Sequence, residues 1–154
     1  MGLDIYLSKK TFIGAMFDSR RIGGSINLFK REKKIPIKFR RLAYVIEDIY
    51  HGRKTHWLHH WLDIELPETL GDAEEQEISE DLIDRLHKAC IEILEHRNKP
   101  DFKDVCKEKL HFEFESEISE DDLKCFLDEV EDLAKATEPN EKTDDAVFIV
   151  SVSW

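Results

Sequence analysis

The sequence is poor in the residues on which much small-protein chemistry is built. It holds three cysteines, Cys90, Cys106 and Cys125, an odd number at wide spacing. No CxxC pair occurs, which excludes a disulfide framework and a zinc ribbon. Cys90 and Cys125 lie in apolar helical patterns, where a small buried thiol is the ordinary reading. No apolar run approaches the ~18 residues that would span a bilayer. "MGLDIYLSKK" has an acid at position 4 and no signal-peptide stretch, and Tyr6 stands where the myristoylation pattern wants Ser or Thr. There is no GxSxG elbow and no glycine-rich phosphate loop, only the isolated pair Gly23-Gly24. The expectation is a soluble protein of a reducing, cytoplasmic compartment, without contact with a membrane.

Basic residues are scarce in one part of the chain only. The 154 residues carry a formal net charge of −11, and 37% of them are charged. Residues 1–60 hold thirteen Lys/Arg and five acids; residues 61–154 hold ten and twenty-nine. Such asymmetry predicts one surface that attracts anions and another that repels them. Mutual neutralisation within the fold, or within a homo-oligomer, accounts for the same pattern. The basic run "KREKKIPIKFRR" (30–41) reads either as a nucleic-acid contact or as an edge strand with protective lysines. With the remainder strongly acidic, the balance argues against direct binding of duplex nucleic acid.

A hydrophobic fraction of 41% with nine Phe is enough for a core, so the chain reads as a single domain, 1–154. "GLDIYLSK" alternates, with Leu3, Ile5 and Leu7 to one side, as a strand does. "AVFIVSVSW" is apolar on both faces, the mark of a central strand. Chain termini of single domains often lie close together, so these two are expected to pair. "LHFEFES" gives a third strand with Leu110, Phe112 and Phe114 inward, and "SINLFK" a weaker fourth. Helices are expected in "FRRLAYVIEDIY", through Leu42, Val45, Ile46 and Ile49, and in the two segments that follow "EISED" at 77–81 and 117–121. The repeated pentapeptide has a physical account: Ser79 and Ser119 are N-caps with acids in the first turn, and Ile78 and Ile118 can staple onto Ile83 and Leu123. Polar connections are read at 67–76, 98–102 and 137–145. The fold class is α+β: a small, mostly antiparallel sheet with its N- and C-terminal strands paired, packed on about four helices.

"HGRKTHWLHHW" (51–61) concentrates four of the seven histidines and two of the three tryptophans. His56 and His60 are one helical turn apart, but Trp57 stands where a zincin-type HExxH site needs Glu. A third ligand would have to come from His51, His87, His96 or His111 at no ligand spacing, so no metal and no cofactor are expected. Trp57, Leu58, Trp61 and Leu62 follow core spacing. Arg53, Lys54, His59 and Trp61 supply a planar donor fork, a point cation, an imidazole and an aromatic face, a set suited to an anion that carries a ring. Gly52 is read as ending the preceding helix, which leaves Arg53 and Lys54 beside the next N-terminus, where free N–H groups favour anions.

Together "MGLDIYL", "YVIEDIYHGRKTHWLHHWL" and "VSVSW" resemble a group of small phage and prophage proteins. These typically begin MGLDMYL, carry a central WRKxxxIHxWF-like motif and end near SSW. The resemblance spans the chain, with close matches in those three stretches, and implies a phage accessory protein with no established reaction. Its motif falls on Arg53, Lys54, His59 and Trp61, with Gly52 in place of the usual tryptophan and Val-Ser-Trp in place of Ser-Ser-Trp. The functional expectation is therefore a binding module for an anionic small molecule, such as a nucleotide-derived signal sequestered from host defence. Two alternatives follow in order: an acidic inhibitor of a host nuclease or DNA-binding factor, and a phosphodiester hydrolase using His59.

Overall fold

A computed structural model describes residues 3–12, 28–30, 33–35, 44–67, 71, 75–114, 118–139 and 146–153. In chain order the elements are β1 (Asp4–Phe12), β2 (Leu28–Lys30), β3 (Lys33–Ile35), β4 (Tyr44–Arg53), α1 (His56–Glu65), β5 (Glu75–Ile78), α2 (Glu80–His96), α3 (Phe102–Leu110), α4 (Glu120–Ala136) and β6 (Ala146–Ser153). β4, β1, β6 and β5 form a four-stranded sheet in that order, antiparallel throughout. The α+β expectation holds, and the two end strands pair, from Asp4 opposite Ser153 to Thr11 opposite Ala146. β6 is a central strand, as its two apolar faces require. β2 and β3 make a separate two-stranded ladder, Leu28 opposite Ile35.

One face of the sheet is the floor of the core. Leu3, Ile5 and Leu7 alternate inward with Val150 and Val152, all at most 4% exposed. α2 lays Leu82, Ile83, Leu86, Cys90 and Ile93 into this core, and α4 adds Phe126, Val130 and Leu133. Each such side chain is worth about 1.5–3 kcal/mol when fully buried. Both expected caps are in place: Ser79 Oγ accepts from Leu82 N–H at 3.2 Å, and Ser119 Oγ accepts from Asp122 N–H at 3.1 Å. Burial pushes the Cys90 and Cys106 thiols up to about 12, while Cys125 is exposed. No helix among the described residues is long and apolar enough to cross a membrane.

Four expectations are corrected. The segment 39–50 is not a helix where it is described: residues 44–53 are β4. Its Tyr, Val and Ile content suits a pleated surface, and pairing along the length of β1 outweighs the apparent helical spacing. "LHFEFES" is not a strand, because Leu110 ends α3 and His111 turns left-handed at φ 55, after which Phe112 N–H donates back to the Cys106 carbonyl. The inward set survives the change: Leu110 is buried, and Phe112 and Phe114 pack on Phe126 with ring centroids 5.5 and 5.2 Å away. The connection read at 98–102 runs into α3 at Phe102, and that at 67–76 runs into β5 at Glu75. Of "SINLFK" residues 28–30 form β2; residues 25–27, and 31–32 and 36–41 of the basic run, lie outside the described residues.

Candidate functional site

The central segment is a strand–helix corner. β4 ends at Arg53, Lys54 takes a left-handed φ of 60, and its N–H donates to the Leu3 carbonyl. Thr55 then caps α1 without a side-chain hydrogen bond to the helix, and the first turn of α1 contains no acid. A left-handed residue with a Cβ costs roughly 1–2 kcal/mol, so a lysine here is dearer to fold than a glycine. Arg53 and Lys54 are both exposed, and among the described residues neither makes an ion pair. The positive end of α1 adds to their field.

α1 separates the other two expected residues. Trp57, Leu58, Trp61 and Leu62 form its buried stripe. Trp61 is 2% exposed and its indole N–H donates to the Lys109 carbonyl at 3.2 Å, so it anchors α1 to α3 and presents no ring to a ligand. Trp57 donates to Glu129 Oε2 at 2.9 Å and meets Phe126 edge-on. Burial raises the Glu129 carboxyl above its ordinary range, against the pull of the Trp57 N–H and of His56. His59 flanks the stripe with Nδ1 3.2 Å from Asp63 Oδ2, and its Nε2 is shut off from solvent. For acid–base work on an external substrate that ring would have to leave its carboxylate. His56 and His60 are exposed.

The structure therefore brings Arg53 and Lys54 together at the surface, sets His59 on the flank of α1 and turns Trp61 away. An exposed ring lies near Arg53 on the outer face of the sheet instead: His51 stacks on Tyr6 at 4.4 Å and 10°. Asp4, opposite Arg53 in the ladder, places Oδ2 3.7 Å from His51 Nε2. That carboxylate makes the Lys54 and α1 side of the corner the better seat for an anion.

Gly52 faces inward here. A Cβ on it would stand 2.6 Å from Thr55 Oγ1 and 2.8 Å from Tyr50 Cε1. A larger side chain at this place cannot be seated without moving both. Burial also pushes the Tyr50 phenol up to about 12, the Thr55 hydroxyl pulling the other way.

A concavity that the sequence did not reveal lies between the inner sheet face, the start of α2 and the end of α4. It has a volume of about 120 Å³, and its lining includes Lys9, Glu47, Glu80, Asp84, Thr137 and Glu138. In a chain with so many acids no carboxylate stands out by type, and these residues come from four separate elements and junctions. Among the described residues no three His, Cys, Asp or Glu converge closely enough to hold a metal ion. Compared with models of protein families, with curated proteins and with solved structures, the chain matches none.

Proposed function

We propose that this protein is a phage or prophage accessory protein that works by binding an anionic small molecule, of which a nucleotide-derived signal is the leading case. One observation carries the reading: two adjacent exposed cations, unpaired among the described residues, stand at the positive end of a helix with no acid in its first turn. Arg53 supplies a fork of donors and Lys54 a point charge. With Trp61 committed to the core, ring recognition falls to His51 and Tyr6.

Isothermal titration against mononucleotides, cyclic dinucleotides and inorganic phosphate tests this. Saturable binding is expected, weakened about tenfold or more in Arg53→Ala/Lys54→Ala, as the loss of charge-assisted hydrogen bonds implies. No binding across the panel, or equal binding by that double variant, would sink the reading. A nucleotide that co-purifies with the protein, seen at 260 nm and identified by mass, would name the ligand directly.

A second reading has its own support. α4 carries seven carboxylates and two lysines, most of the acids exposed, as an inhibitor mimicking nucleic acid for a host nuclease or DNA-binding factor would. Loss of a captured DNA-binding partner on reversing Asp121, Asp128 and Asp132 to Lys, with Arg53→Ala/Lys54→Ala harmless, would favour it over the first.

A further inference from the structure

The concavity beside α2 and α4 differs from the basic corner in charge, in place and in what it can hold. Among the described residues its polar rim includes Glu47, Glu80, Asp84 and Glu138, with Lys9 as the one cation. Lys9 and Glu47 are cross-strand neighbours, yet neither they nor the other three carboxylates form an ion pair among the described residues. Beneath the rim lies an apolar floor that includes Ile49, Ile83, Ala146 and Phe148. The end of α4, at Ala136 and Thr137, forms another wall, so the negative end of a helix adds to the four carboxylates.

Glu80 has a structural reason to be acidic, since it stands in the first turn of α2. Glu47 stands opposite Lys9 without an ion pair to it, and the way it reaches the concavity is informative. The β1–β4 register slips between Leu7 and Ser8: Leu7 faces Tyr50, but Ser8 faces Asp48, leaving Ile49 as an extra residue. Without that bulge the inner face would continue from Tyr50 through Asp48 to Ile46. With it, Ile49 and Glu47 face the concavity and Ile46 is turned out, 52% exposed. The bulge thus replaces Asp48 and Ile46 on the inner face with Ile49, Glu47 and Val45, and it is Glu47 that reaches the rim. Bulges that re-aim a side chain in this way recur beside functional sites.

We infer that this concavity is a site for a small organic cation, an ammonium or guanidinium group on a short aliphatic body. The carboxylates are spread round a rim and do not converge on a point, which suits a delocalised or elongated cation above a bare metal ion. The apolar floor takes the aliphatic part. A volume of about 120 Å³ equals the share of about four waters in the liquid, so a small amine fits and a nucleotide does not. The same chemistry is offered by a free diamine and by a Lys or Arg side chain of a partner protein.

Titration of the full-length protein with 1,4-diaminobutane, with the N-acetyl amides of arginine and lysine, and with Mg²⁺ tests the inference. Saturable binding of at least one organic cation is expected, stronger than that of Mg²⁺ and weakened roughly tenfold in Glu47→Gln/Asp84→Asn. Arg53→Ala/Lys54→Ala leaves it unchanged, so failure here and failure of the anion reading are distinguishable. Tighter binding of the diamine assigns a free metabolite; tighter binding of a capped amino acid assigns a partner's side chain. No saturable binding of any organic cation, or equal binding in Glu47→Gln/Asp84→Asn, overturns the proposal. Retained helical circular dichroism in that variant confirms that a loss of binding is not a loss of fold, and shift mapping by NMR must place the ligand on Ile83 and Phe148.

Discussion

Gly52 shows how one residue ties the fold to the candidate site. It has no unusual backbone angle to justify it; its role is absence of volume. The space a methyl would need is taken by Thr55 and Tyr50, the residues that set the corner from which Arg53 and Lys54 project. Gly52→Ala is therefore expected to cost about 1–3 kcal/mol, the range for overpacking a filled interior, read as a lower midpoint of urea denaturation. A change smaller than ~0.5 kcal/mol would mean that the corner gives way easily. The sequence marks Gly52 as a breaker, which is correct about the interruption but not about its cause: it sits inside β4, one residue before its end. At this scale Arg53 and Lys54 were legible as a pair of surface cations. Trp61 was not, because a tryptophan beside basic residues looks the same whether it stacks on a ligand or plugs a core.

Among the elements, β4 is where pattern and structure part. Leu42, Val45, Ile46 and Ile49 follow a helical period, while a strand should repeat every second residue. The register settles the conflict: Val45 and Ile49 share the inner face with Glu47 by plain alternation, the bulge beyond them joins that face to Tyr50 and Gly52, and Ile46 falls on the outer face. A strand with apolar residues on both faces thus imitates a helical stripe in sequence. α3 was legible in principle, since Phe102, Cys106 and Leu110 repeat every four residues and all three are buried. β5 was not, because "EQEI" has a single inward apolar residue, Ile78, and the strand exists by pairing on the edge of β6. α2 and α4 were read correctly because local and tertiary signals agree in them: cap, acidic first turn and apolar stripe. Ser79→Ala and Ser119→Ala are each expected to lower stability by about 1 kcal/mol in denaturant titrations. A Gly at either position should recover most of that loss, which separates the cap itself from packing of the side chain.

For the whole molecule the governing quantity is charge and its division. A net −11, with seven carboxylates on α4 alone, makes the folded state repel itself. The ion pairs that oppose this, such as Lys107 with Glu113 and Lys135 with Glu131, are largely exposed and contribute little each. The two proposed sites depend on the opposite effect, attraction across the solvent at an exposed corner and an open rim. Raising salt from about 0.01 M to 0.1 M shortens the screening length from about 30 Å to about 10 Å and weakens both effects together. Two trends of opposite sign follow. The thermal midpoint should rise with NaCl, by about 2–4 °C for each kcal/mol of repulsion removed. Binding of an anion at Arg53 and Lys54, and of an organic cation at Glu47 and Asp84, should both weaken over the same range. Scanning calorimetry and titration across that salt series measure the trends on one sample. A midpoint that falls with salt would mean that the ion pairs outweigh the repulsion; an affinity that ignores salt would mean that charge does not select either ligand.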